Sequence, residues 1–143
     1  MNTKEAQEKL VENMKKWQKV ENAAVQQTAK VMGETDNPLI RLVMEVIQRD
    51  SNVHYHVQQV IVDSLESAPL NVGVDDLQKV WSSIERHLEI ERQTIELAKS
   101  SLASFKGKAN LVQRYLLSYL LADEEKHEKL LTDLEQIKKG MYP

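Results

Sequence analysis

At 143 residues, with 41% hydrophobic and 29% charged side chains, the chain is long enough for one domain with a core and too short for two ordinary ones. A net charge of −3 and a pI near 5.8 give no basic field for nucleic acid, and the apolar runs are far short of a membrane span, so neither partner is expected. The absence of cysteine excludes disulfides, thiolate metal sites and catalytic thiols, and agrees with a cytoplasmic setting.

Breakers fall at 33–38, 67–73 and 106–108, with Gly140 and Pro143 near the end. The segments between them predict four helices, over 3–32, 38–66, 74–104 and 109–138, in a single domain covering 1–143. The first helix carries an apolar stripe at Leu10, Met14, Trp17, Ala24, Thr28 and Val31, broken in the middle by Glu21. The second opens on Asn37 as N-cap with Pro38 at the first helical position. Its inward line runs Leu39, Val43, Val46, Asp50, Val53 or His54, Val57, Ile61, with Asp50 as the polar break.

Asp75 and Asp76 suit the positive end of the third helix, whose inward line runs Leu77, Val80 or Trp81, Ile84, Leu88, Glu91, Ile95, Ala98, Leu102. The fourth gives Leu117, Leu120, Glu124, His127, Leu131, Leu134. Steps of three and four dominate and strand-like alternation is absent, so the expected fold class is all-α, a four-helix bundle.

Each stripe is broken near its midpoint, and reflection about the turns brings Glu21 within a helical turn of His54 and places Glu91 beside Glu124. Ionised carboxylates in a core are costly alone, and several at one level are best explained by a cation among them. Glu124 and His127 form a Glu-x-x-His pair, which projects both side chains from one helix face. Such oxygen and imidazole donors suit iron or manganese better than calcium or structural zinc.

The chain also reads as an internal duplication. A shift of 70 residues superposes Glu21 on Glu91 and Val25 on Ile95, and the string Asp50-Ser51-Asn52-Val53-His54 then matches Asp123-Glu124-Glu125-Lys126-His127 after a three-residue loop difference. Ser51 stands where the first copy would carry its glutamate.

The order Glu, x-x-x-His, Glu, Glu-x-x-His resembles the ferritin-like di-iron carboxylate proteins. The stretch Leu121-Ala122-Asp123-Glu124-Glu125-Lys126-His127 is similar to the fourth-helix motif of rubrerythrins. The resemblance implies Glu21 and Glu91 as terminal ligands, Glu124 as a bridging carboxylate, and His54 and His127 as nitrogen ligands of one or two iron or manganese ions. It further implies redox chemistry on peroxide or dioxygen. Without cysteines for the four-cysteine electron-transfer domain of rubrerythrins, the electrons would come from an external donor protein.

With Ser51 in place of a bridging ligand, Asp50 is the residue able to take its role in part, and His87, one turn before Glu91, is the reserve ligand. His56 is read as lying beside the stripe; Trp17, Trp81, Tyr115 and Tyr119 are read as packing residues. A homodimer through exposed helix faces is expected. The alternative is a metal-free bundle of the same fold acting as a binding or assembly module.

Overall fold

The structure, a computed structural model, describes residues 1–141. Four helices, α1 (Thr3–Glu34), α2 (Pro38–Glu66), α3 (Val74–Ser104) and α4 (Leu111–Met141), account for nearly all of it, and no strand occurs among the described residues. The chain is therefore all-α, of the four-helix class that the periodicity requires. α1 pairs with α2 and α3 with α4, giving two helix hairpins that form separate compact units, residues 1–71 and Val72 onward.

The ends of the first hairpin's helices are fixed by side chains. Asn2 accepts from the Glu5 amide at 2.8 Å while the Glu5 carboxylate accepts from the Asn2 amide at 3.0 Å, a reciprocal cap that satisfies two donors of the first turn. α1 has no basic residue in its last turn, and Arg41 of α2 reaches back to donate to the carbonyls of Met32 and Thr35. Asn37 caps α2, its Oδ1 accepting from the amides of Leu39 and Ile40 at 3.0 and 3.1 Å.

The register of this hairpin is pinned by glutamines rather than by interlocking apolar side chains. Gln48 Nε2 donates to the Val25 carbonyl at 3.2 Å, and Gln18 Nε2 lies within donating distance of the Tyr55 carbonyl at 3.3 Å and Gln59 Oε1 at 3.0 Å. The buried face consists of Met14, Gln18, Glu21 and Thr28 on α1 with Ser51, Gln58 and Val62 on α2.

This corrects the expected stripes. Leu10 and Trp17 are exposed at 39% and 51%, and on α2 Val53 and Val57 are exposed at 59% and 49%. Steps of three and four residues fit two adjacent faces of a helix equally well. The face that wins is the one whose Gln18 amide finds acceptors on the opposite helix, since a buried amide without partners costs more than an exposed valine.

The second hairpin follows its predicted α3 line closely, with Leu77, Trp81, Leu88, Glu91, Ile95 and Ala98 all buried. The Asp76 carboxylate accepts from the Gly73 amide at 2.9 Å and, with Asp75, places negative charge at the helix N-terminus. Lys138 Nζ on α4 sits 4.3 Å from the Trp81 ring centroid, a cation–π contact joining the two helices at their far ends. The turn between them uses the left-handed φ of 76° at Gly107, a conformation that costs glycine little. On α4, Leu120 is 47% exposed and Tyr115 51% exposed, so neither is the packing residue expected from the sequence. No helix among the described residues is long and apolar enough to cross a membrane.

Candidate metal centre

The polar interruptions of the stripes meet within each hairpin. In the second, α3 supplies Glu91 and α4 supplies Glu124 and His127, one ligand atom from each lying within 4.8 Å of the other two. His127 Nδ1 is 3.6 Å from Glu91 Oε2 and 3.5 Å from Glu124 Oε2, so a single ring nitrogen faces two carboxylate oxygens. The other ring nitrogen, Nε2, faces Asp123 Oδ2 at 3.4 Å. Carboxylates face both ring nitrogens, and Nδ1 is the one placed to share an ion with the two glutamates while Asp123 stands on the far side of the ring. Glu124 and His127 share a face because three residues separate them on α4, while Glu91 reaches the same point from the opposite helix.

Glu91 is the deepest member at 6% exposure, enclosed by Leu88 and Ile95 one turn to either side. Its Oε1 is taken by His87 Nε2 at 2.8 Å. With both glutamates ionised, its Oε2 is buried without any hydrogen-bond partner. Such an atom is expensive to leave bare. A hydrogen bond from Glu124 holds Glu91 below the usual glutamate range, and the same bond, with burial and the Glu91 charge, pushes Glu124 above it. Of the two, Glu124 is thus the more readily protonated. Thr94 bridges the same three-residue group, its hydroxyl donating to the Glu91 carbonyl at 2.7 Å and lying 3.2 Å from Glu124 Oε2.

The point among Glu91 Oε2, Glu124 and His127 Nδ1 is therefore a place for positive charge. A proton on Glu124 occupies it in one state. A divalent cation has the right charge, and the donor set of two carboxylates and one imidazole fits iron or manganese.

The first hairpin repeats the geometry with one member missing. Glu21, 7% exposed, places Oε2 3.6 Å from His54 Nδ1, the same atoms at the same separation as Glu91 and His127. Its Oε2 is likewise buried without a hydrogen-bond partner, and its Oε1 is held by Trp17 Nε1 at 3.2 Å. Ser51, buried at 7%, stands where α4 has Glu124. The second carboxylate is absent, His54 is more than half exposed, and Asp50 is half-buried. All five residues singled out in the sequence are thus found in carboxylate–imidazole contacts, three in the second hairpin and two in the first.

Two residues take roles that the sequence reading did not assign to them. Trp17 is not core filler but an exposed indole donating to Glu21, and His87 holds Glu91 from one turn away. The available signal was a ring N–H donor four residues before each buried glutamate, repeated at the 70-residue shift that superposes the two glutamates.

The directions of the two shifts fix a pH dependence for the metal-free protein. Glu91, depressed on folding, contributes stability that is present above the ordinary glutamate value and is lost as pH falls through its lowered titration. Glu124, raised on folding, contributes stability that is fully present below the ordinary value and is lost as pH rises through its elevated titration. Urea midpoints measured against pH in chelator are expected to pass through a maximum between the two, and Glu124→Gln should flatten the decline on the upper side.

No family model, curated protein or solved structure matches this chain.

Proposed function

We propose that the second hairpin holds a divalent iron or manganese ion between Glu91, Glu124 and His127, and that the chain is a rubrerythrin-like redox protein of the ferritin-like kind. The observation that carries this reading is the Glu91 side chain: a carboxylate 6% exposed, with one oxygen fixed by His87 and the other without a hydrogen-bond partner, facing a second carboxylate and an imidazole nitrogen. Without a cation or a proton at that point, the arrangement costs the core more than an apolar one would.

The protein's own groups do the following. Glu91 supplies the buried anionic oxygen, and Glu124, where protonated, surrenders its proton when the cation enters. His127 presents Nδ1, held in orientation by Asp123. Affinity therefore falls as pH falls through the raised Glu124 titration, because proton and cation compete for one position. When bound, iron or manganese supplies one-electron chemistry toward peroxide or dioxygen, with electrons drawn from an external donor protein. In the first hairpin, Glu21 and His54 form a weaker partner site lacking the carboxylate that Ser51 replaces. A homodimer and a cytoplasmic location accompany this reading.

The same geometry also suits the metal-free alternative, a helical binding or assembly module, because Glu124, pushed above the usual glutamate range by its bond to Glu91, can cover the Glu91 oxygen with its own proton. Anaerobic loading with Fe(II), desalting, and measurement of iron per chain and of the absorbance change on peroxide addition separate the two. The redox reading expects iron retained at about one ion per chain, a peroxide-dependent absorbance change, and loss of both in Glu124→Ala. Retained iron that ignores peroxide would leave a metal site without the redox role. No retained iron in either protein would leave the metal-free module.

A further inference from the structure

In both hairpins the buried glutamate is gripped at Oε1 by a ring nitrogen from the residue one helical turn earlier. Trp17 Nε1 donates to Glu21 Oε1 at 3.2 Å, and His87 Nε2 lies 2.8 Å from Glu91 Oε1. The indole of Trp17 has a donor and no lone pair with which to bind a metal, so at that position the ring acts on the glutamate alone. The same i to i+4 geometry recurs a third time where Trp81 Nε1 donates to Glu85 Oε1 at 2.7 Å, which shows that a ring N–H spans one turn to a glutamate without distortion of the helix.

We infer that His87 is a positioning residue of the metal centre: its Nε2–H immobilises Glu91 Oε1, so that Oε2 alone is turned toward Glu124 and His127. This rests on the reading that Glu91, Glu124 and His127 hold a metal. A glutamate carboxylate has a free terminal torsion, and an ion arriving at an unheld one must order it first. With Oε1 tied to His87, that ordering is complete before the ion binds, and the bare Oε2 is the consequence. His87 contributes a hydrogen bond and no metal–nitrogen bond, which distinguishes it from His127, whose Nδ1 faces both carboxylates. The imidazole is 57% exposed, so removing it opens no cavity.

The test uses Co(II), whose visible absorption reports ligand number and type, titrated into the full chain and into His87→Phe, His87→Trp and Glu124→Ala, with helicity by circular dichroism as the folding control. His87→Phe removes the donor and is expected to weaken Co(II) binding by about tenfold or more, the usual range for losing a partner that orients a ligand. His87→Trp restores a donor that cannot ligate, and is expected to recover most of the affinity with a wild-type Co(II) spectrum. If both variants weaken binding equally and alter the spectrum, His87 is a ligand and the positioning role is overturned. If His87→Phe binds as wild type does, the hydrogen bond has no role in the site and the inference also falls. A wild-type chain that binds no more Co(II) than Glu124→Ala would instead overturn the metal reading itself, and the positioning role with it.

Discussion

Replacing Glu91 with leucine is expected to abolish the protein's affinity for divalent metal while leaving the metal-free protein folded. Glu91 is 6% exposed, flanked by the buried Leu88 and Ile95, and it carries a bare oxygen in that setting. Removing one member of a buried charged group is costly when its partners are left buried, and much less so when those partners reach water, while an apolar replacement fills the space. The partners left behind tolerate the loss: Glu124 and the His127 side chain are 25% and 40% exposed, and both retain access to water. Urea unfolding in chelator should therefore show a midpoint for Glu91→Leu close to that of the unaltered chain, and calorimetric titration with Mn(II) should show no binding. Affinity lost with stability retained is the signature of a residue kept for a ligand rather than for the fold. A large loss of stability would instead identify Glu91 as a structural anchor of the hairpin.

Ser51→Glu is expected to have the converse effect on the first hairpin. The new carboxylate would stand relative to Glu21 and His54 as Glu124 stands relative to Glu91 and His127, since both hairpins hold the Glu Oε2 to His Nδ1 distance at 3.6 Å. Metal content should rise from one ion toward two per chain. The metal-free variant should lose about 1–3 kcal/mol, because Ser51 is 7% exposed and a larger acidic group enters a packed seam beside an existing carboxylate. Metal should restore that loss. An unchanged metal content, with the variant folded, would show that Ser51 and Glu124 are not equivalent positions.

How far the sequence could carry these conclusions varied by residue. Glu91, Glu124 and His127 were legible because each breaks an apolar line at a period that leaves its inward direction unambiguous, and because a three-residue step aligns Glu124 with His127 on any helix. The helix limits were legible from Asn37, Pro38, Gly107 and the acidic start of α3, whose capping chemistry is local. The inward face of α1 was not. Choosing Gln18 over Trp17 depends on acceptors at Tyr55 and Gln59 on another helix, which no local pattern contains. For the same reason Gln18 and Gln58 are buried although neither stands on an expected inward line, whereas Val57, which does, is exposed. His87 was seen as a neighbour of the site, but its hydrogen bond to Glu91 rather than to metal emerges only when set beside Trp17.

The central claim is that Glu91, Glu124 and His127 share one cation. Anomalous scattering at the iron edge, from crystals grown anaerobically with Fe(II) and without chelator, addresses it directly. The expected result is a peak within bonding reach of Glu91 Oε2, a Glu124 oxygen and His127 Nδ1, and no such peak in Glu124→Ala. An iron peak on other residues, or none at all with these three side chains well ordered, would contradict it.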